Sequence, residues 1–335
     1  MGCVGFHENV HHQFVNTGFQ DLISNELLLS KLGRMRLMLS VIGFAVTLGA
    51  QQQTPAQASK HAPERLVRTS KPKAGEIVIN RKDGLSYVYI PPGQFHMGCS
   101  EGDSDCLESE RPPHKVRIPR GFWMGQIEVT VEAYKRYIRS TGKLMPAEPK
   151  FLDKNMNPGW NIDGEPMSIV SWRESQDYCE WAGLRLPTES QWEYAARAGS
   201  NAARYGVLED IAWYGDNSGS ERLDTRTILK ADGANYAKRL IENGNRPHPP
   251  GQKQANAFKL SDMLGNVWEW TADWYSDTSY KKPSQAPSGR EQRVLRGGSW
   301  DRRPGLARAS TRYGSPPSER NLNVGFRCSG EKLVP

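Results

Sequence analysis

No stretch of this chain is apolar for long enough to cross a bilayer. The main apolar run, Leu39 to Leu48, falls well short of the roughly 20 residues a membrane helix needs. No basic run marks a nucleic-acid surface either. The formal charge is +7, but lysines and arginines are spread along the chain, which reads as a solvated face. There is no His-Glu-x-x-His, no Cys/His zinc spacing, no phosphate loop and no nucleophile elbow. Metalloprotease, zinc-finger, P-loop and α/β-hydrolase chemistry therefore have no foothold. Long helices are also discouraged, because Gly 32 and Pro 22 favour turns. What is abundant is tryptophan, at 10 residues, and those rings have to supply much of the buried area. A length of 335 residues accommodates one large domain or two small ones.

Residues 35–58 read as a secretory signal peptide. Arg34-Met35-Arg36 supplies the basic flank, Leu39 to Leu48 the short apolar core, and Ala56-Gln57-Ala58 a small-residue exit. Met35 or Met38 then serves as the start, and residues 1–34 become a non-native or disordered extension. A buried or interfacial helix is the alternative. Residues 59–75 read as a polar linker. Cleavage would leave no stable membrane span and would place the protein in the periplasm or outside the cell.

Four cysteines follow the signal: Cys99, Cys106, Cys179 and Cys328. An even count in an oxidising compartment predicts disulfides. Cys99 and Cys106 flank a short loop that a bridge would close, while a bridge between Cys179 and Cys328 would close a very long one. The alternative is four reduced thiols, with Cys179 buried on a helix.

The folded region is expected over 76–332, as one α+β domain rich in irregular structure. Two domains split near 145–165 are the alternative. Glu76–Asn80, Ser86–Ile90, Val116–Ile118 and Phe122–Val129 read as strands. Helices are predicted from Val131 after a Thr130 cap, from Arg173 to Trp181 after Ser171, and after a Thr188-Glu189-Ser190-Gln191 capping box. Residues 219–247 read as a polar surface insertion.

Two motifs near the C-terminus carry the most information. One is Asp262-Met263-Leu264-Gly265-Asn266-Val267-Trp268-Glu269-Trp270. The other is Arg293-Val294-Leu295-Arg296-Gly297-Gly298-Ser299-Trp300, closed later by Val324-Gly325-Phe326-Arg327-Cys328. They follow Pro91-Pro92-Gly93, Glu128-Val129-Thr130, Arg185-Leu186-Pro187-Thr188-Glu189 and Trp192-Glu193-Tyr194-Ala195-Ala196-Arg197 in order. This series of blocks resembles the sulfatase-modifying factor family, whose best-known members are formylglycine-generating enzymes. The resemblance implies a single domain of the formylglycine-generating-enzyme type, related to C-type lectin folds.

It also implies a calcium site, with ligands at the Asp262 side chain, the Gly265 and Val267 carbonyls, and Glu269. Calcium takes six to eight hard oxygens, and a tight turn can aim carbonyls inward while carboxylates close the shell. An Asx-capped turn is the alternative. Asn217 is the candidate for a second calcium ion, with Asn235 as competitor.

Copper oxidases of the family carry two cysteines after the Arg-Gly-Gly-Ser motif. The matching positions here are Arg302 and Ala307. Arginine is a permanent cation with no lone pair to give, so no Cu(I) thiolate site is expected there. Iron relatives use histidines on an upstream domain. His7, His11 and His12 cluster ahead of the signal with no helical bundle around them, and His96 and His114 read as structural. The residues left near the family's pocket are Trp268, Ser299, Trp300, Asp301, Arg302, Arg303, Ala307, Arg308 and Arg312. One reading is an aromatic-walled cleft with a guanidinium cluster, suited to a peptide or small anionic ligand. The other is a tryptophan core with arginines paired to Asp273, Glu269 and Asp301. Two functional classes remain: an exported, calcium-stabilised binding or accessory module, or a family enzyme with a different metal or cofactor.

Overall fold

The turn at Lys82-Asp83-Gly84 starts the first sheet. Asp83 accepts the Leu85 N–H at 2.9 Å and the Tyr87 hydroxyl at 2.7 Å, which folds the chain back on itself. Strand β1 (Ile77–Ile79) thereby pairs antiparallel with β2 (Ser86–Ile90). The computed structural model describes residues 72–281 and 290–333. The expected signal peptide, the extension expected before it, the histidines at 7, 11 and 12 and most of the expected linker lie outside these residues.

A hairpin follows, made of β3 (Gly93–Met97) and β4 (His114–Ile118), and then β5 (Phe122–Gly125) pairs with β2. The expected strand to Val129 stops at Gly125. There the N–H groups of Gly125 and Gln126 turn to Cys328 and Ser86, and Val129 bonds Phe326 instead. Helix α1 (Val131–Thr141) is capped by the Thr130 side chain and ended by Gly142 at φ 70°. A two-residue hairpin of β6 (Lys150–Phe151) and β7 (Lys154–Asn155) comes next.

Helices α2 (Trp172–Trp181) and α3 (Glu189–Arg197) both open with complete capping boxes, at Ser171/Glu174 and Thr188/Gln191. Each such cap stabilises by about 1 kcal/mol. Beyond a short α4 (Leu208–Ile211) the structure adds helices that the sequence did not announce. The segment read as a plain surface insertion carries α5 (Thr225–Asp232), capped by Asp224, and α6 (Tyr236–Glu242). Leu240 and Tyr236 anchor it by burial.

The second sheet holds both C-terminal motifs. Its order is β10 (Arg312–Ser315), β9 (Arg293–Arg296), β8 (Trp268–Trp274) and β11 (Val324–Gly325), the last pair parallel. The first sheet closes with β12 (Ser329–Gly330), in the order β1-β2-β5-β12.

Successive residues of β2 face two different cores, as the period of a strand requires. Tyr87 joins Trp123, Tyr178, Trp268, Trp270 and Phe326, while Val88 joins Phe122, Trp192, Met263 and Leu264. The mixed architecture, with short helices and sheets around irregular segments, is α+β. Two disulfides staple it, Cys99–Cys106 and Cys179–Cys328.

Candidate functional site

The two motifs singled out in the sequence meet backbone to backbone. Gly265 donates its N–H to Gly297 O and Trp300 donates to Asn266 O, at 2.9 and 2.8 Å. Three residues of this turn have positive φ: Asp262, Gly265 and Asn266. A Cβ at Gly265 would lie 2.2 Å from Trp213 O, so only glycine fits between the turn and its neighbour. The Asn266 carboxamide locks the turn by accepting from His248 N and donating to His248 O and Glu128.

Beneath the turn lies a buried acid cluster. Both Glu269 oxygens face the Arg327 guanidinium at 2.7–2.9 Å, and one also accepts the Trp192 indole N–H at 2.7 Å. Glu269 is thus the counter-ion of Arg327. Asp262 uses one oxygen to accept the Gly251 N–H, and its Oδ1 is buried without a hydrogen-bond partner. Glu128 Oε2 is orphaned in the same way. Burial pushes Asp262 up to about 6, against the Gly251 N–H and Arg327. Burial, then repulsion from Asp262, holds Glu128 well above the ordinary carboxylate range. Three acids crowd one arginine in a dry place, which disfavours the ionisation of all three at once.

Among the described residues, no group of three or more His, Cys, Asp or Glu side chains is arranged to hold a metal ion. Any cation here would depend on backbone carbonyls as well as carboxylates. Glu128 and Arg327 were missed as site residues by sequence reasoning. Their signal was present, in the Glu-Val-Thr and Gly-Phe-Arg-Cys blocks.

The second predicted cluster follows the Arg-Gly-Gly-Ser motif. Ser299 donates to Asp301 at 2.5 Å, and the Asn323 amide reaches both Asp301 oxygens at 3.0 and 3.1 Å. Trp300 is fully buried, edge-on to Phe151, and Trp268 is almost so, near the exposed ring of Tyr313. Arg302 lies 3.6 Å from Asp301 and stays partly exposed, as does Arg303. Ala307 is buried, and its carbonyl accepts from Arg204 at 3.0 Å. From the insertion, the Tyr236 hydroxyl donates to Asp301 O at 2.8 Å and anchors α6 on this loop.

Two members of the predicted guanidinium cluster do not face a cleft. Arg308 is buried and forks onto Glu110 at 2.6 and 2.7 Å, with Asp103 at 2.9 Å. Arg312 is buried and forks onto Glu189 at 2.7 and 2.9 Å. Burial raises the Glu189 carboxyl, but Arg312 and Arg296 outweigh it and leave it below its ordinary range. The expected partner Asp273 instead accepts the Glu189 N–H at 2.6 Å.

The Asn217 amide is spent on its own turn, accepting from Tyr214 N and donating to Glu209 and Ala212 O. Asn235 is exposed and donates to Asp232. His114 packs edge-on against Tyr280, with rings 4.7 Å apart.

Residues 74–332 match the sulfatase-modifying factor enzyme 1-like domain. The formylglycine-generating enzyme of Streptomyces coelicolor is 30% identical, over 73% of this chain and 88% of that protein. The inactive C-alpha-formylglycine-generating enzyme 2 of Bos taurus is 35% identical, over 73% and 88% respectively. Among solved structures, PvdO from Pseudomonas aeruginosa has a TM-score of 0.63 at 24% identity, over 78% of this chain and 100% of that one, a likeness of fold. With its two signature motifs hydrogen-bonded to each other and its domain matched throughout, the chain belongs to the sulfatase-modifying factor family.

Proposed function

We propose that this protein is an exported binding or accessory module, stabilised by calcium and by two disulfides, that works without copper–thiolate oxidation. The cysteines carry the reading. Arg302 and Ala307 stand where the family's oxidases place their thiolates, and all four cysteines among the described residues are paired in disulfides. A guanidinium and a methyl group cannot hold Cu(I). The likeness to a relative named as inactive supports the same conclusion. Two disulfides in one domain fit an oxidising compartment, and no helix among the described residues is long and apolar enough to cross a membrane.

Calcium fits the acid surplus beneath the turn. The Asp262 carboxylate and the Gly265 and Val267 carbonyls would hold it. Glu269 would contribute only what Arg327 and Trp192 leave free, and the orphaned Glu128 oxygen is the other acid at hand. When bound, the ion neutralises charge that one arginine leaves uncompensated. The ligand surface is the partly exposed Arg302–Arg303 pair, suited to a peptide or small anion.

Metal analysis of purified protein, paired with a sulfatase-peptide oxidation assay, tests the reading. Calcium without copper, and no aldehyde product, are expected. At calcium near 100 times its Kd, unfolding free energy should rise by about 2.7 kcal/mol, and Asp262→Asn should abolish that rise. Stoichiometric copper with aldehyde formation would overturn the proposal.

A further inference from the structure

A cavity of about 450 Å³ opens beside the Cys99–Cys106 bridge, on the loop that supplies Asp103 to Arg308. Its wall includes Cys99, Glu101, Asp103 and Arg111 but not Cys106, although Cys99 is only 7% exposed and Cys106 is the more exposed of the two. The two sulfurs of this bridge have opposite surroundings. Cys99 Sγ faces the carbonyl oxygens of Ser100 at 3.5 Å and Asp103 at 3.9 Å. Cys106 Sγ instead receives a hydrogen bond from Arg308 Nη1 at 3.7 Å. A thiolate at Cys99 would meet partial negative charge, while a thiolate at Cys106 would meet a buried guanidinium. Asp103 and Glu110 share that guanidinium, Asp105 lies close by, and Arg204 and Arg226 stand near the same loop. Charges around the pair therefore nearly balance, and the direct Arg308 contact is what distinguishes the two sulfurs.

We propose that Cys99–Cys106 is a thiol–disulfide exchange site for a small thiol bearing a carboxylate. The thiolate enters the cavity and bonds to Cys99 Sγ. The sulfur–sulfur bond breaks, its electron pair passes to Cys106 Sγ under Arg308, and that sulfur takes a proton from water. A second thiol then displaces the first, releasing the oxidised small disulfide and leaving both cysteines reduced. Arg111 is exposed, lines the cavity and forms no ion pair among the described residues, so it is free to receive the carboxylate.

Opening the bridge has a structural consequence. The loop it closes supplies the Asp103 carboxylate and Asp105 carbonyl to Arg308, and the Asp105 carboxylate to Arg226 on α5. Exchange at Cys99 would therefore loosen the clasp between this loop, α5 and the segment that follows Ser299. The other bridge, Cys179–Cys328, has both residues fully buried and serves as the internal reference.

The test uses the oxidised full-length protein with glutathione at mildly alkaline pH, quenched with N-ethylmaleimide and mapped by peptide mass spectrometry. The 99–106 bridge should open well before the 179–328 bridge, and glutathione should be found on Cys99 with Cys106 alkylated. Arg111→Gln, a surface change, should slow opening by glutathione about threefold, the scale of an exposed charge contact. It should leave opening by uncharged 2-mercaptoethanol unchanged. Glutathione on Cys106, a 99–106 bridge no faster to open than the buried one, or equal slowing for both thiols in the Arg111→Gln protein would each overturn the proposal. Opening rates are read from the alkylated pair, so a short-lived mixed disulfide does not leave the question open.

Discussion

Replacing Arg327 with methionine removes the guanidinium but keeps much of the side chain's bulk. In the native structure this group is fully buried and satisfies Glu269 through Nε and Nη2. Its remaining N–H groups reach the carbonyls of Gly125, Gln126, Ser261 and Asp262. Without it, Glu269 is left in the interior beside Asp262 and Glu128, with the Trp192 indole as its one remaining donor among the described residues. Breaking a buried pair from one side costs about 3–5 kcal/mol, a large share of a typical total of about 5–15 kcal/mol. Glu269→Gln alone keeps an acceptor for Trp192 and should cost less. In the double variant no unpaired charge remains at position 269, so its loss should be smaller than the sum of the singles by about 2 kcal/mol. Urea unfolding followed by tryptophan fluorescence reads this directly, because Trp192 bonds the affected carboxylate. A loss below about 1 kcal/mol for Arg327→Met, or strict additivity of the two changes, would refute the view that these charges are mutually dependent.

Removing the long-range bridge with Cys179→Ala and Cys328→Ala should lower unfolding free energy by about 5 kcal/mol, since the cysteines are 149 residues apart. Denaturation midpoints under oxidising conditions check this, and an unchanged midpoint would contradict it. His248 should titrate below its ordinary 6.5, because burial disfavours its cation and Arg246 and Lys253 add repulsion. With the folded value depressed, the unfolded chain binds the extra proton, so this group's contribution to stability is lost as pH falls through 6.5. An NMR titration midpoint at or above 6.5 would show the reasoning wrong.

The parts of the fold that were legible were those written locally. Ser171 and Thr188 announce their helices because the acceptor and donor partners lie three residues away. The segment is the polar, largely exposed stretch expected, but its helices α5 and α6 were not foreseen, because their apolar positions Ile228, Leu229, Leu240 and Ile241 are too sparse to set a helical period. Strand β5 was read too long because nothing in the apolar Phe122–Val129 stretch reveals that Val129 bonds Phe326. The candidate site shows the same divide. The Asp262–Trp270 and Arg293–Trp300 motifs were marked out by their glycines and tryptophans. The partners of Arg308 and Arg312 were not. They are Glu110 and Glu189, 198 and 123 residues away, and charge type alone does not select among so many acids.

The first sheet begins with β1 at Ile77 and is completed by β12 at Ser329–Gly330, which pairs with β5. A ribosome delivers these strands about 250 residues apart. The outer edge of β5 therefore stays open until Ser329–Gly330 has been made, and the mate of Cys179 arrives only with Cys328. A product stopped before Cys328 lacks both the closing strand and that cysteine. Such a fragment would carry an unpaired edge and a lone thiol together, and a quality-control protease could recognise it by either.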